Sequence, residues 1–346
     1  MSALFARIGA RVPVVQAPMA GSGGVALAIA AIRGGALGSL PCAMLTPAQV
    51  VAQAGEVRAG VDGPINLNFF CHTMPDTVDE RAWRAALAPF HADEGVAPDG
   101  PPPALRQPFG EAMAAAVETV RPEVVSFHFG LPSAALVARV KATGALILGS
   151  ATHIDEAVWL AGRGCDAVIA QGYEAGGHAG YFLGDHRPVG LVALVPAIVD
   201  AIDLPVIAAG GIADARAVAA AIALGAAGVQ VGTAYLSTAQ AMTSAVHRKA
   251  LAAGGETVFT NLMTGRRARG LRNRLIDTLG PVSDAAPPFP HAATALAPLR
   301  AHAEAQGRGD YSPLWAGQSV GLARATDARV LTETLGAAAL AASEIA

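Results

Sequence analysis

The sequence predicts an α/β protein: a (β/α)8 TIM barrel with an inserted lid segment and a smaller C-terminal helical and loop region. Short apolar, strand-like segments alternate with helix-like ones until eight strands have been made. Those segments are apolar on both faces, as a fully covered parallel sheet requires. The 346 residues suit one large barrel with an insertion, or two domains. An open doubly wound sheet would carry G-x-G-x-x-G after its first strand. Gly21-Ser22-Gly23-Gly24 stands there instead.

Pro13 to Pro18 reads as the first strand, running into Pro18-Met19-Ala20-Gly21. Gly24 to Arg33, rich in Ala and Ile, reads as a helix closed by Gly34-Gly35. Ala36 to Leu40 is the second strand, and Thr46-Pro47 opens the following helix as cap and first residue. Pro64 to Phe70 is the third strand. Cys71 to Pro108 then breaks the rhythm with Pro75, Pro89, Pro98, Pro101, Pro102, Pro103 and Pro108. One helical piece is expected there, around Asp79 to Phe90. Trp83, Phe90 and Phe109 give the segment apolar anchors, so it reads as an excursion over the barrel mouth rather than a disordered linker.

The alternation resumes with a helix at Gly110 to Val120 and a strand at Val124 to Phe129. Four more pairs follow. They are Ser133–Thr143 with Ala145–Leu148, Ile154–Arg163 with Ala167–Ala170, Leu191–Ala201 with Pro205–Ala209, and Asp214–Leu224 with Gly228–Val231. A final helix is expected over Ala241 to Ala253. Phe259 to about Gly321 reads as loop-rich, with a helix near Ala292 to Gln306 and an Ala-rich C-terminal helix. The barrel is therefore expected over residues 1–70 and 108–255, the lid over 71–107, and a region packing over the active-site mouth over 256–346.

Composition excludes several function classes. A net charge of −3 and a pI near 6.3 leave no electrostatic footprint for nucleic acid. Mean hydropathy is high at +0.42, yet no apolar run reaches the roughly 20 residues that span a bilayer, so no membrane partner is expected. Met1 to Ala10 lacks the pattern of a signal peptide. Cys42, Cys71 and Cys165 show no C-x-x-C spacing, which argues against a disulfide framework or structural zinc and for a reducing cytoplasm. The only lysines, Lys141 and Lys249, sit in helix-like stretches, which counts against Schiff-base chemistry.

The most informative segment is Gln171-Gly172-Tyr173-Glu174-Ala175-Gly176-Gly177-His178-Ala179-Gly180, directly after a strand. Glycines let backbone N–H groups approach a ligand closely, and an imidazole titrates near neutral pH. A glycine-rich connector with an incidental surface histidine is the bland alternative. Active sites of such barrels lie at the C-terminal ends of the strands. There the chain delivers Gln16 to Met19, Asn68, Phe69, His128, Gln171, Glu174, His178, Gly210-Gly211 and Gly232-Thr233. The two glycine turns entering helices after the last two strands mark the fold's usual phosphate site. With Asn68, Gln171 and the backbone from Pro18 to Ala20, whose amides suit an isoalloxazine edge, that site fits a flavin mononucleotide, FMN. Strand-end capping is the alternative role for both amides. Glu174 and His178 could pair on a metal, but without a third ligand the set is poor zinc geometry.

QAPMAG at Gln16–Gly21, NLNFFCH at Asn66–His72, SFHFGLP at Ser126–Pro132, AQGYEAGGHAG at Ala170–Gly180, AAGGI at Ala208–Ile212 and QVGT at Gln230–Thr233 together resemble nitronate monooxygenase, class I branch. Thr264-Gly265-Arg266, Ala268-Arg269-Gly270 and Trp315-Ala316-Gly317-Gln318 extend the likeness, which spans about Val14 to Arg324. The resemblance implies non-covalently bound FMN and oxidation of alkyl nitronates by O2 to a carbonyl compound and nitrite. It makes His178 catalytic and places His128 against the substrate. The cofactor site is expected at Pro18, Met19, Ala20, Asn68, Gln171, Gly176, Gly177, Gly210, Gly211, Gln230, Val231, Gly232 and Thr233, with no metal and with a monomeric or homodimeric chain. His128 has a second reading as a satisfied core histidine, and His72 reads as structural or at the rim. His291 stands near a position where the family carries an aromatic. His178 could bind the nitronate anion or deprotonate a neutral nitroalkane. The rivals are an FMN-dependent NAD(P)H:quinone or enoyl-thioester reductase of the same superfamily and a non-catalytic flavin-binding protein. A reductase would need a nicotinamide site, and Arg266, Arg267 and Arg269 are the only basic cluster near the rim.

Overall fold

Eight short strands close a barrel in the computed structural model, which describes residues 2–100 and 104–345. They are β1 (Val14–Gln16), β2 (Gly38–Pro41), β3 (Ile65–Phe70), β4 (Val124–His128), β5 (Leu146–Ala151), β6 (Ala167–Gln171), β8 (Val206–Ala209) and β9 (Gly228–Val231). All pair in parallel, in the order β1-β9-β8-β6-β5-β4-β3-β2. A parallel bridge between Val15 and Leu37 joins the ends and completes the ring. The predicted TIM barrel is thus the observed fold, with strand positions offset by a residue or two. Pro101 to Pro103 of the predicted excursion lie outside the described residues.

The first helices are α1 (Ala3–Ile8), α2 (Val25–Arg33), α3 (Pro47–Gly60), α4 (Arg81–Glu94), α5 (Glu111–Val120), α6 (Ala134–Ala142) and α7 (Ile154–Ala161). They are followed by α8 (Leu191–Val199), α9 (Ala215–Ala223), α10 (Thr233–Leu236), α11 (Ala245–Ala253), α12 (Arg274–Leu279), α13 (Ala292–Ala305) and α14 (Ala328–Ser343). At α3 the Thr46 hydroxyl accepts from the Gln49 backbone N–H while the Gln49 side chain accepts from the Thr46 N–H, a reciprocal cap ahead of Pro47. The sequence reading had no element before Pro13, yet α1 buries Leu4, Phe5 and Ile8 among inward residues of the barrel strands. A Cβ at Gly228 would lie 2.4 Å from the Phe5 ring, so that glycine makes room for the plug.

The C-terminal residues divide between two places. Helix α14 packs against α2 and α9 in the barrel wall, not over the mouth. The approach is close: a Cβ on Gly34 would fall 2.5 Å from Thr332 Cβ, and one on Gly336 2.6 Å from Val12. Tyr235 and Thr332 hydroxyls meet at 2.6 Å between them. The helix at Ala245–Ala253, expected as the last of the barrel, instead joins an apolar cluster with Leu271, Leu314, Ala316 and Val320. The intervening residues, expected to be loop-rich, form two strands of a small sheet whose third strand comes from the glycine-rich loop after β6. It consists of β10 (Thr257–Thr260), β11 (Ala268–Leu271) and β7 (Gly177–His178), all antiparallel.

Helix α4, in the predicted excursion, docks on α13. Trp83, Leu87 and Phe90 bury against Leu262, Leu296, Leu299 and Tyr311, a second core beside the barrel. The Trp83 indole donates to the Ala292 carbonyl at 3.0 Å. Glu94 adds an ionic tie, accepting from Arg274, Arg308 and Tyr311. Those partners, Arg308 first, lower its carboxyl pKa to about 2. Phe109, the third expected anchor, belongs to the barrel side instead, against Phe69 and Phe127.

Trp83 is the largest side chain that α4 buries, fully covered with its N–H satisfied. Trp83→Ala should cost about 3–5 kcal/mol and accelerate amide exchange in α4 and α13 before the barrel strands. A thermal melt and exchange pattern unchanged from the parent would show that the second core does not depend on it.

Candidate functional site

The C-terminal ends of the barrel strands open into a cleft of about 320 Å³. Pro18, Met19 and Ala20 line it after β1, Asn68 from β3, His128 from β4 and Gln171 from β6. Gly176, Gly177 and His178 line it from β7 and the loop before it, Gly210 and Gly211 after β8, and Gln230, Gly232 and Thr233 around the end of β9. The structure therefore gathers every predicted site residue except Val231. That side chain is buried in the apolar wall, because strand neighbours alternate faces and Gln230 takes the inward one.

One end of the cleft is built from backbone. Gly210 and Gly211 hold φ of +118° and +70°, in the region that favours glycine. Gly232 precedes the single turn of α10, and the Thr233 hydroxyl accepts from the Gly317 N–H at 2.9 Å. A Cβ on Gly176 would meet the Gly317 nitrogen at 2.5 Å, so the two loops touch backbone to backbone. Such a cradle suits a phosphate. Gln230 adds a buried Oε1 that no donor among the described residues reaches. An orphaned acceptor in the cleft wall fits a ligand with an N–H or O–H edge, as a flavin has. Asn68 gives its Nδ2 to Ser126 Oγ at 3.0 Å.

Gln171 lines the cleft and is also held by two protein contacts. Its Nε2 donates to the His178 carbonyl at 2.9 Å and its Oε1 accepts from the Gly180 N–H at 2.7 Å. The amide chiefly clamps the histidine segment to β6. Glu174 caps a helix: both carboxylate oxygens accept from the Leu191 N–H at 3.0 Å, at the start of α8. The weak metal pair dissolves into a helix cap, and no cluster of metal-ligating side chains occurs among the described residues.

His178 sits on β7, opposite Ala268 of β11. Its ring is half-buried among Phe289, Trp315, Phe129 and Phe70, at centroid distances of 5.3, 5.6, 5.9 and 6.0 Å. Burial, followed by the charges of Arg106, His128, Arg266 and His72, holds its pKa well below the usual histidine value. The ring is therefore neutral at pH 7. His128 Nε2 lies 3.1 Å from the His178 carbonyl, which can only accept, so that nitrogen carries the proton. Burial lowers the His128 pKa to about 4. His72 turns away from the cleft, with its Nε2 on the Arg106 carbonyl at 3.2 Å.

Several residues at the site had no clear signal in the sequence. Arg106, from the proline-rich excursion, lines the cleft; among the described residues it makes no ion pair with a carboxylate, and its buried Nε has no partner. Phe289, rather than a residue at His291, supplies the aromatic from the C-terminal region, while His291 precedes α13. Arg266 lies between the rings of Phe129 and Tyr181, 4.2 Å from each centroid. Arg269 lies between Tyr173 and Phe259 and donates to the Tyr173 carbonyl at 3.0 Å. Two arginines of the only basic cluster are thus committed to aromatic faces.

The family model described as nitronate monooxygenase matches residues 2–336. A nitronate monooxygenase of Paraburkholderia phytofirmans is 39% identical over 96% of this chain and 93% of its own length. One of Pseudomonas aeruginosa is also 39% identical, over 97% and 98%. The solved structure of a nitroalkane oxidase from Streptomyces ansochromogenes superposes with a TM-score of 0.88 at 34% identity, each chain covered in full. FabK from Thermotoga maritima superposes at 0.75 with 24% identity, covering 100% of this chain and 98% of its own, and shares the fold alone. With its barrel, its His-bearing glycine loop and these relatives, the chain belongs to the nitronate monooxygenase family.

Proposed function

We propose that this protein oxidises alkyl nitronates, and neutral nitroalkanes, with O2 to a carbonyl compound and nitrite, using FMN held in the cleft. The carrying observation is a neutral imidazole, His178, in an aromatic wall beside a glycine cradle. Gly210, Gly211, Gly232 and Thr233 would hold the phosphate, and Gln230, Asn68 and the backbone from Pro18 to Ala20 the ring system. The flavin, when bound, supplies the electron acceptor. The chain supplies the rest. Arg106 gives a nitronate its positive partner, and the aromatic wall excludes water and strengthens that attraction. His178, with its lowered pKa, takes the proton from the carbon of a neutral nitroalkane.

The same observations weigh against the reductase reading, since Arg266 and Arg269 are engaged by aromatic faces and carbonyls. Anaerobic bleaching of the flavin by a nitronate, and not by NADH, distinguishes the two. We take the protein to act as a monomer or a homodimer. Among the described residues no helix is long and apolar enough to cross a membrane, and all three cysteines are free; we place the reaction in the cytoplasm.

Three outcomes are expected. Acid extraction releases FMN, because one phosphate cradle is built; recovery of FAD from the folded protein would overturn the cofactor assignment. His178→Asn keeps FMN bound and lowers nitroalkane turnover by about 10²–10⁴-fold. Unchanged turnover would leave His178 a bystander. The pH profile for neutral nitroalkane falls on the acid side. The base works in its neutral form, so activity is lost as pH drops through the His178 pKa, which lies below the ordinary 6.5. An acid limb centred above 6.5 would contradict this environment.

A further inference from the structure

The Thr264 hydroxyl meets His178 Nε2 at 2.9 Å and the Arg266 carbonyl at 3.4 Å. A hydroxyl has one proton to donate, and a carbonyl can only accept. If Thr264 donates to Arg266, its oxygen must accept from His178, and Nε2 must carry the hydrogen. No protein group among the described residues bonds His178 Nδ1, and the side chain lines the cleft.

Thr264 is itself held firmly. It is 3% exposed, and the next residue, Gly265, has φ +89°. A Cβ at Gly265 would lie 2.2 Å from the Pro287 carbonyl oxygen and 2.6 Å from the Phe289 nitrogen. The turn from Thr264 to Arg266 is thus pressed under the segment that brings Phe289 to His178. On the other side, β7 is registered on β11 and the His178 carbonyl is fixed by Gln171 and His128. Backbone and ring are anchored independently.

We propose that Thr264 is a positioning residue that fixes His178 in the Nε2–H tautomer and leaves Nδ1 as the free acceptor toward substrate. This rests on the proposed function for its catalytic consequence, but the tautomer is a property of the chain. When Nδ1 takes the proton from a nitroalkane carbon, the electron pair of that C–H bond passes into the nitronate. The positive charge formed on the ring is shared with Thr264 through Nε2–H.

The test is long-range ¹⁵N–¹H correlation on ¹⁵N-histidine-labelled holoprotein, with the His178 signal assigned by its loss in His178→Asn. The parent should show a protonated Nε2 and a bare Nδ1. Thr264→Val should populate the other tautomer and lower kcat for neutral nitroalkane about tenfold, and Thr264→Ser should restore both. A parent ring protonated at Nδ1 overturns the proposal. So does a Thr264→Val protein with the parent's spectrum and rate, or a Thr264→Ser protein as impaired as Thr264→Val. Should Thr264→Val fail to fold, the parent spectrum and the serine variant still decide. If the parent turned over no nitroalkane or nitronate, the proposed function would fall while the spectrum still tested the tautomer.

Discussion

Two donors converge on one carbonyl oxygen, and the site is organised around that point. Gln171 Nε2 and His128 Nε2 both donate to the His178 carbonyl, one from β6 and one from β4. Both donors stand on barrel strands, so the loop inherits the rigidity of the sheet. The arrangement tolerates nothing larger than hydrogen at residue 180, where a Cβ would lie 2.7 Å from the His128 ring and 3.2 Å from Gln171 Oε1. A side chain on a loop is usually placed less precisely than one on a strand, and fixing it to the scaffold removes that difference.

The clamp also sets the electrostatics. It draws His178 into a wall of aromatic rings, with Arg106, Arg266 and two other histidines nearby. Cations and low polarity act in the same direction on an imidazole, keeping it neutral. The same surroundings favour an anion in the cleft. On the proposed function, one set of residues leaves His178 unprotonated and its cations attract a nitronate.

The sequence made the barrel legible because its signal is local. Each strand is a short apolar run followed by a helix, and Val124–His128 or Ala167–Gln171 is recognisable without its neighbours. The glycine loops were legible for the same reason, since few residues other than glycine accept the φ of Gly210 and Gly211. The sheet of β7, β10 and β11 was not, because a two-residue strand has no period. Arg106 reaches the cleft, and Phe289 the His178 ring, only through tertiary packing. Gln171 was legible as a cleft residue, but its clamp on the His178 segment was not, since an amide after a strand looks the same whether it meets a ligand or a carbonyl.

The seat of α14 between α2 and α9 bears on how the molecule is made. A chain synthesised from its N-terminus completes β9 long before residues 328–343 emerge. Until then the faces of α2 and α9 stand uncovered, and Gly34 has no partner. Closing the wall joins segments from opposite ends of the sequence, a contact whose loop entropy must be overcome late. The nascent barrel therefore carries an open apolar seam for as long as residues 232–327 take to be made.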